Sequence, residues 1–253
     1  MLFTILLLLI RAKYNNDNAI KVRLFGFKVS ANCPQTLLQL VKEIFLEQVY
    51  LFHSDNPAPR IIDGGANMGI SVLYFKSLFP EAHIIAIEPN PNAFGYLEKN
   101  IAQNSLSHVE SVEACLSDGL GKEKFYLAQT ESIINGSIYP ESEKTFMKEV
   151  ASVRLSDYLE EGEFDLVKID VEGAERQVLR DLKQSGLMKK SRQYLLEYHN
   201  FPGLEDIQQE LLETFEQNGF QSMNQGEILS GQENVVMHFS RAKNVYPSSK
   251  LDQ

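Results

Sequence analysis

The sequence predicts an α/β protein built on a doubly wound, mostly parallel sheet, with a small strand and helix layer ahead of it. Three observations carry the prediction. From Arg60 onward, short apolar runs alternate with longer segments of helical periodicity, the pattern of parallel strands covered on both faces by helices. One run passes through an acid into a glycine-rich turn, "RIIDGGANMGISVLYF". Such strand–turn–helix corners are where doubly wound sheets bind ligands. The next run, "HIIAIEPN", also reaches an acid, Glu88, before prolines stop it.

The elements follow in order. "IKVRLFGFKVS" alternates apolar and polar residues around Gly26, as in a small hairpin. Pro34 to Phe52 has apolar residues at helical spacing and predicts one amphipathic helix. "HSDNPAPR" is a loop, and the boundary between the two layers falls near Asn56–Pro59. Strands are expected at Arg60–Asp63, His83–Glu88, His108–Glu113, Phe164–Asp170, Tyr194–Tyr198 and Val235–Phe239. Helices are expected at Ile70–Leu78, Pro91–Gln103, Glu172–Ser185 and Gly203–Asn218, with Pro91 suited to a first helical turn. The chain thus divides into an N-terminal extension (1–56), a core (57–242) and a tail (243–253).

Composition narrows the classes. The 253 residues, 43% of them hydrophobic, suffice for one sizeable core. A net charge of −10 argues against nucleic-acid phosphate as the main partner. Cys33 and Cys115 lie far apart without metal-like spacing and read as buried reduced thiols. The apolar start "MLFTILLLLI" is shorter than the roughly 20 residues of a membrane span. It has the length of a signal core but neither a preceding basic residue nor a small-x-small cleavage site. It is expected to pack on the domain or to be the remnant of a longer span or signal. A cytoplasmic location is favoured, with peripheral membrane contact through residues 2–10 as the alternative.

The glycine-rich corner reads Asp63-x-Gly65-x-x-x-Gly69, not the G-x-G-x-x-G that offers a helix N-terminus to pyrophosphate. A carboxylate at the turn's entrance suits a cationic ligand without phosphate, so S-adenosylmethionine is favoured over NAD. Glu88 follows Asp63 by 25 residues, where a carboxylate accepts ribose hydroxyls. Ser117 and Asp118, in "ACLSD", form a weaker candidate for the adenine edge.

A second dense stretch is "FDLVKIDVEGAERQVL". Lys168 and Asp170 share one side of an otherwise apolar strand, and Glu172 and Glu175 follow at the corner into a helix. Carboxylates beside a buried lysine are costly unless paired or used; acids in a helix's first turn also complement its dipole. Further on, "YLLEYHN" places Glu197 and His199 on one strand face, with Asn200 next. The polar segment Ala128 to Phe146 is expected to be a loop over the site. Its Tyr139 and Phe146 would either stack on a sugar or anchor the loop.

These blocks, together with "LSDYL" and a looser "NGF" at Asn218–Phe220, resemble the FkbM family of S-adenosylmethionine-dependent methyltransferases. The resemblance runs from about Tyr50 to Asn200. It implies a class I methyltransferase fold, seven strands with the last antiparallel. It also implies O-methylation of a hydroxyl on a sugar, glycan or polyketide-type acceptor. By the family pattern Asp63, Gly65, Asn67, Gly69 and Glu88 face the cofactor; Asp170, Glu172 and Glu175 carry its acidic block, and His199 its late histidine.

A hydroxyl nucleophile needs its proton taken as it attacks, and Asp170 and His199 are the first candidates, with Glu172 beside them. Acidification by a divalent cation is the less favoured route, with Asp170, His199 and Asn200 as its ligands and Mg²⁺ or Mn²⁺ as the ion. Two other classes share the fold: an NAD-dependent oxidoreductase or epimerase, and a non-catalytic module that binds S-adenosylmethionine.

Overall fold

The computed structural model describes residues 19–128, 136–139, 145–201, 206–222 and 234–241. The apolar run Met1–Ile10 and residues 242–253 lie outside them.

Strands β1 (Ile20–Leu24) and β2 (Phe27–Ala31) pair antiparallel. Phe25 and Gly26 join them with φ of 50° and 89°, the two-residue turn whose twist matches a hairpin. Helix α1 (Pro34–Leu40) runs on into a π-helical turn, Val41–Leu46. The single helix expected to reach Phe52 therefore stops early, and Gln48 takes φ 56°. Tyr50 and Phe52 explain the break. Both are buried, and residues two apart point to different sides of a helix but to one side of an extended chain. Phe52 settles with ring centroids 5.9 Å from Phe75 and 5.1 Å from Phe79.

The core alternates as expected: β3 (Arg60–Gly64), α2 (Ile70–Leu78), β4 (His83–Ile87), α3 (Pro91–Gln103) and β5 (Val109–Val112). Asn90 caps α3 by accepting from the Asn92 amide at 3.0 Å. A second sheet then departs from the sequence reading. It consists of β6 (Cys115–Ser117), β7 (Gly121–Ala128), β8 (Gly136–Ser137) and β9 (Thr145–Arg154), in the order β6-β9-β7-β8. Within the expected loop Ala128–Phe146, Ala128, Gly136, Ser137, Thr145 and Phe146 lie in strands; residues 129–135 and 140–144 are outside the described residues. The small core Cys115, Phe125, Leu127 and Val150 holds this sheet together.

The chain returns through α4 (Leu155–Glu160), β10 (Leu166–Ile169), α5 (Glu175–Ser185), a 3₁₀ turn at Leu187–Lys190, β11 (Gln193–His199), α6 (Gln208–Gln217), β12 (Gln221–Ser222) and β13 (Asn234–Ser240). Helix α5 begins three residues later than expected because Glu172 and Gly173 take φ of 48° and 104°. Helix α6 starts at Gln208, and residues 203–205 of its expected start lie outside the described residues.

The main sheet has seven strands in the order β5-β4-β3-β10-β11-β13-β12. All its pairings from β5 to β11 are parallel, and β13 runs antiparallel to both neighbours. Strand order reverses between β3 and β10, where Gly64 pairs with Ile169. The four residues of β10 are all buried, as a central parallel strand requires. One apolar cluster joins the hairpin, α1, α2 and α3 to the sheet, and another joins α4, α5 and α6 to it. Among the described residues no helix is long and apolar enough to cross a membrane.

The N-terminal layer is clamped to the core by buried Asn100. Its side chain accepts from the Ser30 amide at 2.8 Å and donates to the carbonyls of Ser30 and Met68 at 2.9 and 2.8 Å. Asn100→Ala is expected to cost about 2–4 kcal/mol, because several buried groups lose their partner together; urea denaturation of both proteins measures it.

Candidate active site

The site lies at the carboxyl ends of β3, β4 and β10, beside the reversal in strand order, where open α/β sheets bind ligands. The turn after β3 is tied to β4. The Gly65 and Ala66 amides donate to the Ile87 carbonyl at 2.9 and 3.0 Å. The Asn67 amide donates to Glu88 Oε2 at 2.8 Å, and the Asn90 amide to Glu88 Oε1 at 2.7 Å. Burial pushes the Glu88 carboxyl up to about 7 against the pull of these two amides. Gly65 (φ 78°) passes so close to β10 that a Cβ would sit 1.7 Å from the Asp170 carbonyl oxygen. At Gly69 (φ 80°) a Cβ would meet Leu97 of α3 at 2.7 Å. What approaches each glycine closely here is the protein itself.

Behind the turn sits Lys168, 1% exposed. Its ammonium lies 3.1 Å from Asp63 Oδ1 and 3.3 Å from Asp170 Oδ2, and donates to the Gly65 carbonyl at 2.9 Å. Burial alone would lower the lysine; the Asp63 and Asp170 carboxylates overcome it and raise it above its ordinary value. Asp63 also accepts from Ser71 Oγ at 2.6 Å and has no exposed surface. It therefore lies beneath the cleft and is not part of its wall.

Asp170 has two unlike oxygens. Oδ2 accepts from Tyr50 Oη at 3.0 Å and meets Lys168, while Oδ1 looks toward His199 Nε2 at 4.0 Å. Tyr50 Oη is also 3.3 Å from Glu197 Oε2, and its single proton serves one carboxylate at a time. His199 Nδ1 is 2.8 Å from Glu175 Oε1, and its Nε2 is 3.3 Å from Glu172 Oε2 and 3.8 Å from Glu197 Oε1. Burial alone would lower His199, but the Glu175 hydrogen bond and the carboxylates of Glu175, Glu172 and Asp170 push it up to about 10. Glu197 is pushed up to about 7, by burial first and then by Asp170.

A cleft of about 510 Å³, its open mouth included, is lined by Gly65, Asn67, Glu88, Asp170 and Glu172 on its polar side. Ile87, Ala114, Leu116, Phe125, Val171 and Ala174 make the apolar side. Gly65, Asn67, Glu88, Asp170 and Glu172, all expected from the sequence, come together here. Gly69 underlies the turn instead. Ser117 is buried against Glu123 at 3.0 Å, and Asp118 pairs with Arg180 at 3.2 Å. The segment facing the cleft is Ala114–Leu116, just before them. Of the expected metal set, Asp170 and His199 come together with Glu172, one ligand atom of each within 4.8 Å of the others.

Sequence reasoning missed Tyr50 and Phe125. Tyr50 read as one more apolar helix position, and Phe125 belongs to a sheet that was not expected. The burial alternation of Phe125 and Leu127 is a signal that could have found the latter.

A family model described as the methyltransferase FkbM domain matches residues 63–222. The chain belongs to the FkbM methyltransferase family. It is 33% identical over 184 residues to Methyltransferase 1 of Beauveria bassiana, spanning 62% of this chain and 72% of that one. To the 31-O-demethyl-FK506 methyltransferase FkbM of Streptomyces tacrolimicus it is 27% identical over 196 residues, spanning 65% and 75%. The crystal structure of methyltransferase FkbM from Methylobacillus flagellatus superposes with a TM-score of 0.50 at 14% identity, over 82% of this chain and 54% of that one. That likeness is one of fold, and it agrees with the class I strand order seen here.

As an FkbM methyltransferase the protein is an S-adenosylmethionine-dependent enzyme. The cleft fits that cofactor. Its described lining carries carboxylates and an apolar wall and no lysine or arginine, a donor set suited to a nucleoside with a positive charge and ill suited to pyrophosphate.

The raised histidine has a consequence for stability. Its folded-state value of about 10 exceeds the unfolded value of about 6.5. Protonated His199 therefore stabilises the fold fully below about pH 6.5, and this contribution is lost as pH rises toward 10. The stability advantage of wild type over His199→Gln, measured by urea denaturation in chelator-containing buffer, is expected to be large at pH 6 and to shrink by pH 9.5.

Proposed function

We propose that this FkbM enzyme methylates a hydroxyl oxygen of a small-molecule or glycan-type acceptor, a sugar or a polyketide-type product. The observation that carries the reading is the unequal setting of the two Asp170 oxygens. Lys168 and Tyr50 hold Oδ2, which leaves Oδ1 to accept a proton from an acceptor hydroxyl in the cleft. A positioned base of this kind contributes about 10²–10⁴-fold. The Streptomyces relative, whose name places its methyl group on an oxygen, supports the same chemistry.

Glu88, fixed at both oxygens by backbone amides, is suited to the ribose hydroxyls of the cofactor, and Asn67 and Gly65 to its flank. Ala114, Leu116 and Phe125 supply an apolar surface for the adenine and keep water from it. When bound, S-adenosylmethionine supplies an electrophilic methyl group. His199, held protonated by Glu175, serves to orient Glu172 and the acceptor and is a poor base at neutral pH. Asp63 acts through Lys168, as a positioning residue below the cofactor.

Two measurements test this. Calorimetric titration with S-adenosylhomocysteine is expected to show binding that Glu88→Ala weakens about ten- to hundredfold through loss of charge-assisted hydrogen bonds, with no heat from NAD⁺. NAD⁺ binding in its place would move the protein to redox chemistry. Asp170→Asn is expected to lower methyl transfer at least about 10²-fold while S-adenosylhomocysteine affinity stays within threefold; full turnover would remove Asp170 as the base.

A further inference from the structure

The deep end of the cleft brings together more than a base. Asp170, Glu172 and His199 each offer one ligand atom, and these lie within 4.8 Å of one another. His199 Nε2 is 3.3 Å from Glu172 Oε2 and 4.0 Å from Asp170 Oδ1. Neighbouring ligands about 2.1 Å from one octahedral ion are about 3 Å apart, so the two carboxylates need to close on His199 by about an ångström or less, and on each other by at most about 2 Å, to share an ion. Asp170 and Glu172 both line the cleft, which gives an ion a way in and leaves the remaining coordination positions facing the cleft.

Two features set this group apart from a patch of surface acids. The first is the histidine. It is 8% exposed, with Nε2 aimed into the gap between the two carboxylates. Its other nitrogen is held at 2.8 Å by Glu175, itself 2% exposed. A carboxylate behind the distal nitrogen fixes the ring of a metal-bound histidine in this way. The second is charge. Asp63, Asp170, Glu172, Glu175 and Glu197 converge on one lysine and one histidine. The lysine is drawn toward Asp63 and the turn carbonyls, beneath the cleft floor.

We infer that Asp170, Glu172 and His199 form a binding site for one divalent cation, with two oxygen donors and one nitrogen. Such a set suits Mn²⁺ or Mg²⁺. The ion takes the place of the proton on His199 Nε2, and Asp170 Oδ1 then serves as a ligand in place of its role as base. The remaining positions take water or an acceptor oxygen, whose proton the ion makes easier to pass to a cleft water. The purpose of the site rests on the proposed methylation of a hydroxyl; its existence does not.

The test uses Mn²⁺ on the full chain after treatment with chelator and dialysis, with S-adenosylhomocysteine titrated in parallel. Calorimetry is expected to show one equivalent of Mn²⁺ bound, and pulsed electron paramagnetic resonance a ¹⁴N coupling from a histidine ring. Glu172→Gln, a change at the half-exposed cleft wall, is expected to weaken Mn²⁺ at least tenfold and to leave S-adenosylhomocysteine binding within threefold. His199→Gln is expected to abolish the ¹⁴N coupling, with circular dichroism confirming that it folds. Binding of S-adenosylhomocysteine without Mn²⁺ uptake, Mn²⁺ bound without ¹⁴N coupling, or an unchanged Mn²⁺ affinity in Glu172→Gln would overturn the inference. Mn²⁺ uptake with these signatures but no S-adenosylhomocysteine binding would sustain the site and overturn the cofactor reading instead.

Discussion

One buried ammonium holds the site together. Lys168 stands where strand order reverses, and it joins Asp63 of β3, Asp170 at the end of β10 and the carbonyl of the turn between them. An ion pair of this kind is a poor source of net stability, since well-packed apolar residues often do as well, but breaking it from one side costs about 3–5 kcal/mol. Its importance lies in what it fixes. The turn carbonyl sets Gly65, the Gly65, Ala66 and Asn67 amides reach β4, and Asn67 and Asn90 aim Glu88. From the same nitrogen the constraint runs the other way, to Asp170 Oδ2 and thence to Tyr50. The proposed cofactor side and the proposed proton-accepting side are thus registered against a single atom.

The parts of this arrangement that were legible in the sequence share a property. β3, β4, β10 and β11 are short apolar runs whose polar exceptions fall at their ends or on one face. Asp63, Glu88, Lys168, Asp170, Glu197 and His199 could therefore be placed by period and position alone. Backbone-dictated residues were legible too, since Gly65 and Gly69 occupy left-handed conformations. Their reason differed, however: the tight approach is to the Asp170 carbonyl and to Leu97, and no count of glycines tells a ligand from a neighbouring strand.

What escaped depended on contacts between segments distant in sequence. Tyr50 is 120 residues from Asp170, and its pattern continued a helix; only competition between helix periodicity and the burial of two aromatic rings ended that helix. The strands β6 to β9 were obscured because the segment between β7 and β9 is rich in polar residues, and the small core beneath them involves a few residues only. Ser117 and Asp118 follow directly after the segment Ala114–Leu116 that lines the cleft. Strand ends are uncertain by at least such an offset when read from sequence, and one residue of slip changes which face a side chain meets.

The second sheet shapes the site from its own direction. Phe125 of β7 forms part of the cleft wall. Ser137 of β8 donates to the Glu172 carbonyl at 2.6 Å, and Tyr139, 5.5 Å from Phe201, closes over Gly173. The corner that bears Glu172 is therefore gripped from outside the main sheet, whereas Glu88, Asp63 and Lys168 are held within it. The two halves of the pocket rest on separate hydrogen-bonded frameworks. A change in β7 to β9 would reach the Phe125 wall and the Glu172 corner directly and the Lys168 floor only at second hand. In mechanical terms the cleft is a socket whose floor and collar are braced separately.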